Sequence, residues 1–260
     1  MDRTDDLLLQ HPSRGARALR RLSVGFARTP QVLRAAQALR WRVFAEEMGA
    51  RLSSREPGID QDIFDAHCRH LVVRDDASGE VVGTYRILAP EGARRVGCYY
   101  SESEFDLTRL RLLRPRMVEV GRSCIHPEYR NGAVITLLWA GLARYMLAHG
   151  HEYLTGCASM GMADGGHAAA SVYARLREGH MAPIEYHVFP RCRLPLERLN
   201  AGAGGELPAL VQGYLRAGAW ICGEPAWDPD FNTADFFLLL PLANAAPRYA
   251  RHFLKKASRG

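Results

Sequence analysis

Short apolar runs separated by polar, Gly- and Pro-marked connections recur along the chain, and their spacing changes several times. Thr29-Pro30 offers an N-cap followed by proline at the first helical position. Val32, Ala36, Leu39, Val43 and Phe44 then recur at helical spacing, predicting a first helix that stops at Gly49. Residues 70–74 and 81–88 predict two strands joined by Asp75-Asp76-Ala77-Ser78-Gly79-Glu80, a hairpin connection by composition. Residues 94–100 predict a third strand, and 101–105 open a helical or looped segment. Met117–Ile125 is rich in β-formers but carries Glu119, Gly121 and Arg122 inside it. Beyond it Val134, Leu137, Leu138, Gly141, Leu142, Tyr145 and Met146 give a helical stripe, with Gly150 placed as a C′ residue. The remainder predicts a strand over 151–160, a Gly-rich turn over 162–166 and a helix over 167–177. An irregular stretch follows from 190, then a helix over 208–217 and strands over 218–223 and 235–240.

The charged pair within Met117–Ile125 changes the picture. In a regular strand, residues three apart face opposite sides, so Glu119 and Arg122 should diverge. A bulge near Gly121 would bring both to one side and bend the strand. A Glu and an Arg in a buried strand are costly unless they are paired or used. Two readings stand: a structural ion pair, or a site. The turn Arg130-Asn131-Gly132-Ala133 leads into a helix N-terminus, where free N–H groups and the helix dipole favour an anion. An ordinary strand-turn-helix is the plain alternative.

With 260 residues, 47% of them hydrophobic, the chain predicts one large globular domain or a domain with an extension. No run reaches the length of a membrane-spanning helix, and the basic N-terminus lacks a signal peptide's apolar core, so a cytoplasmic location is expected. Cysteines 68, 98, 124, 157, 192 and 222 are scattered without zinc-like spacing, which predicts free buried thiols and no metal. The formal charge of +6 admits nucleic acid, anionic lipid or an acidic protein as partner. No basic strand interleaved with aromatics occurs, so no nucleic acid is expected. Residues 1–28 read as a basic arm with Arg14, Arg17, Arg20 and Arg21. It is either a loose tail or an interfacial segment with Leu19, Leu22, Val24 and Phe26 as its apolar side. Residues 246–260 read as a basic tail, with Tyr249 and Phe253, that is either solvated or a second membrane contact. Between 51 and 67, Asp60, Asp62 and Asp65 cluster in a polar connection: either a solvated acidic loop or a group of carboxylates that orients a cationic substrate.

Taken in order, Arg40-Trp41-Arg42-Val43-Phe44, Asp62-Ile63-Phe64-Asp65, Gly83-Thr84-Tyr85-Arg86, Phe105 and Glu119-Val120-Gly121-Arg122 resemble the signature of acyl-homoserine-lactone synthases. The chain resembles the L-ornithine N-alpha-acyltransferase family more closely. That pattern is echoed by Val43 to Ala50, Glu119-Val120-Gly121-Arg122-Ser123-Cys124 and Gly156-Cys157-Ala158-Ser159. It continues in Gly213 to Ala219 and Phe231-Asn232-Thr233-Ala234-Asp235. Each motif is weak alone; their shared order, from about 32 to 253, is specific.

The resemblance implies a mixed α/β (α+β) GNAT acyltransferase fold. It has a central mixed sheet with a bulged, splayed central strand, helices on both faces and a C-terminal extension. A single GNAT-like domain is expected over 29–245, with the extension beginning near 200. Transfer of a 3-hydroxyacyl group from acyl carrier protein to the α-amine of L-ornithine is the implied reaction, with no bound cofactor. It implies catalytic roles for Glu119, Arg122 and Ser123, and a substrate site of Arg40, Phe44, Asp62, Asp65, Arg86 and Phe105. Acyl-pantetheine, lying between splayed strands, would meet Arg130, Asn131, Gly132, Ala133, Cys157 and Ser159. Tyr173 is the candidate general acid; a tyrosine at helical spacing is otherwise simply core. The compressed Arg130-Asn131-Gly132-Ala133-Val134 loop lacks the second glycine of coenzyme A-binding loops, which favours the carrier protein as donor. Acyl carrier proteins are acidic, so the chain's positive charge suits them, and it equally suits contact with an anionic membrane. Another amino-acid acceptor or homoserine-lactone synthesis remains open. Ala50 stands where autoinducer synthases carry Trp, which argues against the latter. A basic membrane- or nucleic-acid-binding module with a dead acyltransferase fold would leave Glu119 and Arg122 without purpose.

Overall fold

The computed structural model describes residues 9–12 and 21–245. These group into two compact units, one built from residues up to 92 and from 120–150, the other from 93–119 and 151–247.

In the first unit, β1 (Leu9–Pro12), β2 (Arg21–Phe26), β3 (Arg69–Asp75) and β4 (Val81–Leu88) form an antiparallel series. The later part of β6 (Met117–Ile125) neighbours β4. Two helices flank this sheet: α1 (Pro30–Trp41), prolonged by a π-helical turn over Arg42–Glu47, and α3 (Ala133–Ala148). Thr29 caps α1 as its sequence predicts, its side chain accepting from Val32 N at 3.3 Å. Strand alternation sorts the sheet's two faces. Leu71 and Gly83 look towards α3, and a Cβ on Gly83 would come within 2.3 Å of Val134 Cγ1. His70 and Arg86 therefore point to the opposite face, where α1 packs and Asp65 lies. Gly150, at φ +65°, ends α3 in the way its position predicts.

In the second unit, residues Met117 to Glu119 of β6 pair in parallel with Tyr153 to Thr155 of β7 (Tyr153–Gly161). Along its whole length β7 pairs antiparallel with β11 (Thr233–Pro241), from Thr233↔Gly161 to Pro241↔Tyr153. The short β9 (Trp220–Ile221) and β10 (Ala226–Asp228) also pair with β11. A separate ribbon joins β5 (Phe105–Asp106) to β8 (Phe189–Pro190). Helices α4 (His167–Arg177) and α5 (Ala209–Ala217) complete the unit.

Two expectations change. Residues 94–100 are not a strand: α2 (Pro90–Val96) occupies the region, followed by a 3-10 turn over Tyr100–Ser103. Pro90 presets helical φ at the start, and Gly97 at φ +99° provides the stop, with Gly97 N bonded to Ala93 O at 2.8 Å. Within the basic N-terminal arm, residues 21–26 form a sheet strand with Leu22 and Val24 buried, so they are neither a loose tail nor a membrane-facing stripe. Arg14, Arg17, Leu19 and Arg20, and the tail 246–260 with Tyr249 and Phe253, lie outside the described residues. Among the described residues no helix is long and apolar enough to cross a membrane.

Candidate active site

Six charged side chains meet in the first unit. Arg40, in the last turn of α1, is 0% exposed; its Nε lies 2.8 Å from Asp60 Oδ2 as an ion pair, and its Nη2 donates to Asp65 Oδ2 at 2.6 Å. Arg86 of β4 donates from Nη1 to Asp62 Oδ1 at 2.6 Å and to Asp65 Oδ1 at 3.0 Å. Arg122 of β6 reaches Asp60 Oδ2 at 3.2 Å and Asp62 Oδ2 at 3.5 Å. Gln37 Nε2 adds a bond to Asp65 Oδ2 at 3.0 Å. The acidic connection is held in place by its own backbone: Asp60 N bonds Gln37 O, and Phe64 N bonds Asp62 Oδ1.

Electrostatics follow from that geometry. Burial alone would raise the Asp65 carboxyl, but the hydrogen bond and charge of Arg40, with Arg86 beside it, hold it well below the usual carboxylate range. Burial works against a charged Arg86, yet Asp62 and Asp65 outweigh it and raise its pKa. Burial lowers the His70 imidazole, whose Nε2 lies 3.1 Å from Asp65 O. Three guanidinium groups thus neutralise three carboxylates. Both sequence readings of the Asp cluster need revision: Asp60 and Asp65 are buried rather than solvated, and their charge is already spent on arginines.

The break in β6 falls one residue later than predicted, at Arg122, whose φ of +52° is left-handed. Glu119 and Arg122 have different partners. In the second unit the buried Glu119 carboxylate accepts from Tyr100 N at 2.6 Å and Ser101 N at 2.9 Å. These are the first amides of the 3-10 turn, which have no partner within it. Tyr99 fixes the turn's approach, its hydroxyl donating to Met117 O at 2.7 Å.

The remaining candidates divide by exposure. Phe44 and Phe105 are buried, Phe105 packed edge-on against Phe237 at 5.6 Å, and Ser123 is half-buried. Arg130 is clasped by both carboxylate oxygens of Glu47 and bonds Ile125 O through Nε at 3.1 Å. Asn131 Oδ1 accepts from Ala133 N at 3.1 Å, so one amide of the α3 N-terminus is already engaged; Gly132 makes the turn at φ +90°. Tyr173 is buried in α4 beneath the Arg177 guanidinium, and burial raises its phenol. Sequence spacing gave no hint of one further group: Glu104, Cys157 and Asp235 bring their donor atoms within 4.8 Å of one another from three distant stretches.

Residues 39–140 match the family model described as an acetyltransferase (GNAT) domain. A protein of Brucella abortus (strain 2308), named L-ornithine N(alpha)-acyltransferase, is 36% identical over 256 residues, covering 92% of this chain and 90% of its own. The chain belongs to the L-ornithine N(alpha)-acyltransferase family. It is an acyltransferase of GNAT fold. Solved structures bear out the fold at much lower identity. The AHL synthase LasI aligns with a TM-score of 0.50 at 15% identity, covering 91% of this chain and 96% of that one. FeeM, an N-acyl amino acid synthase from uncultured soil microbes, aligns with a TM-score of 0.52 at 12% identity, covering 92% and 96%. Within the family reading, the Arg–Asp cluster and Glu119 stand on the motif segments that carried the resemblance.

Proposed function

We propose that the chain moves a 3-hydroxyacyl group from acyl carrier protein to the α-amine of L-ornithine, giving lyso-ornithine lipid. What carries this reading is the 36% identity, along 92% of the chain, to a relative named for acylating the α-amine of ornithine. An amine attacking a thioester must be neutral, and a free α-amine titrates near pH 8, so a base need remove one proton. Glu119 is assigned that role, directly or through a water, because two backbone N–H groups fix its carboxylate in place. The oxyanion formed on attack is assigned to an N–H at Arg122–Ser123, where the left-handed φ takes the backbone out of regular strand geometry. Tyr173, a neutral phenol, is assigned the departing thiolate.

The arginines differ in availability. Arg40 is wholly enclosed and Arg86 nearly so; both brace Asp60, Asp62 and Asp65. Arg122 keeps the longer, looser pairs, so it is the one that exchanges them for the substrate carboxylate. On the donor side, the Asn131-Gly132-Ala133 turn cradles the single phosphodiester of the pantetheine arm, and Arg130 faces it only by sharing Glu47.

The direct test is a product assay with purified protein, 3-hydroxyacyl carrier protein and a panel of amino acids, read by mass spectrometry. N-acylornithine as the main product supports the reading; acylation of another amino acid in its place sinks it. Glu119→Gln leaves an amide N–H facing a backbone N–H, costing about 1–3 kcal/mol of stability. Turnover should fall much further, by about 10²–10⁴-fold. A folded variant with wild-type turnover removes Glu119 from the mechanism.

A further inference from the structure

The second unit holds a pair of acids for which the reaction as assigned has no use. Asp235 of β11 is 4% exposed, and its Oδ1 has no hydrogen-bond partner. Both carboxyl oxygens of Glu104 are likewise buried and meet only Asp235 and the Cys157 thiol, although the residue as a whole keeps some exposure. Cys157 completes the group, and among the described residues no arginine, lysine or histidine pairs with either acid. Burial, each other's charge and the nearby Asp228 push the Glu104 carboxyl far above the carboxylate range; burial raises Asp235 as well. Two such carboxyl groups titrate as a pair, and with one proton held between them the pair keeps a single negative charge. Elsewhere the protein covers its buried acids with arginine, as at Asp60, Asp62 and Asp65. Here none of the described residues supplies one.

Register places the pair with respect to Glu119. Glu119 stands opposite Thr155 in the β6–β7 ladder, and Cys157 follows two residues along β7 on the same face. Asp235 stands opposite Ser159, on that face again, and Phe237 opposite Cys157. One strand spacing and one two-residue repeat, about 8 Å along the diagonal, therefore separate the Glu119 position from that of Cys157. The four carbon atoms between the two nitrogens of an α,δ-diamino acid span about 6 Å by ordinary bond lengths. Phe237, packed on Phe105, backs the group with apolar surface, which makes an uncovered charge there costly and a matched one strong.

Building on the ornithine reading, we propose that Glu104 and Asp235 form the subsite for the acceptor's distal ammonium group, with Cys157 at its rim. The site selects a diamino acid of this length because the two carboxyl groups, keeping one proton between them, leave one negative charge for the ammonium. A single positive charge matches a pair that keeps one proton; a divalent ion would have to displace that proton, and to gain Cys157 as a third ligand it would need a thiolate, which burial with both acids disfavours.

Steady-state kinetics on Glu104→Gln and Asp235→Asn test this, using L-ornithine and L-2-aminopentanoate, which lacks only the distal amine. The expected result in either variant is a KM for ornithine raised about tenfold to hundredfold, as for loss of a charged hydrogen bond. The preference for ornithine over the analogue should shrink by the same factor, with the KM for the acylated carrier unchanged. Thermal melts identify an unfolded variant, and the partly exposed Glu104 is the safer position. An unchanged ornithine preference in folded Glu104→Gln overturns the subsite and leaves the ornithine reading standing. Wild-type protein that acylates a different amino acid overturns both. Stoichiometric zinc retained by wild type after dialysis, and lost in Glu104→Gln, reassigns the group to a metal and overturns the proposal.

Discussion

Asp65 shows how much one side chain can decide. It receives Arg40, Arg86 and Gln37, all well enclosed, so Asp65→Asn would leave two guanidinium groups short of a counter-charge. Removing one partner of a buried pair costs about 3–5 kcal/mol, and Asp65→Asn should lower stability by that amount at pH 7. The sign with pH follows from the depressed carboxyl. Its contribution is complete above the ordinary Asp value near 4 and drains away as the pH falls below it towards the folded-state value. Urea titrations at pH 7 and at lower pH should therefore show wild type and variant converging on acidification; a gap independent of pH refutes the assignment. Such residues were only half legible in the sequence. Glu119, Arg122, Asp62 and Asp65 stand in motif order along the chain, so they could be singled out from the sequence. Which arginine meets which aspartate could not, because those pairs span 20 or more positions. Asp235 stood in a motif without a role assigned to it, and Glu104 escaped altogether, so their meeting could not be read.

At the scale of elements, capping and punctuation carried most of the information. Thr29-Pro30 began α1, Gly150 closed α3 and Gly166 opened α4 in the way their positions foretold. The misread segment, 94–100, has a helix signal in Pro90 and Gly97, but its Arg- and Tyr-rich composition suggested strand. The two-residue strands β5 and β8 were also out of reach, because they are too short to show alternation and exist only through each other. Gly83 sets how closely α3 approaches the sheet. Gly83→Ala puts a methyl group on Val134 and should cost about 1–3 kcal/mol through overpacking, measurable by chemical denaturation. A neutral result would mean that α3 shifts freely.

For the whole molecule, the +6 charge decides how a donor protein would find it. If an acidic carrier protein is the donor, the KM for the acylated carrier should rise steeply with ionic strength while the KM for a free amino acid moves little. Charge reversal at the exposed Arg42 or Arg51 should add to the rise; a KM for the carrier indifferent to salt counts against a carrier-protein donor. The GNAT architecture itself was legible through the order of weak motifs, each ambiguous by itself.

The cluster of Arg40, Asp60, Asp62, Asp65, Arg86 and Arg122 draws on four stretches of chain: a helix end, a connection, and two strands distant in sequence. Because the connection carries three of the six charges, all three arginine-bearing stretches must join it before its carboxylates are neutralised. A half-assembled intermediate would strand at least one ion away from water, so partial unfolding there carries a penalty close to that of complete unfolding. The ion cluster would then make this region come apart all at once or not at all.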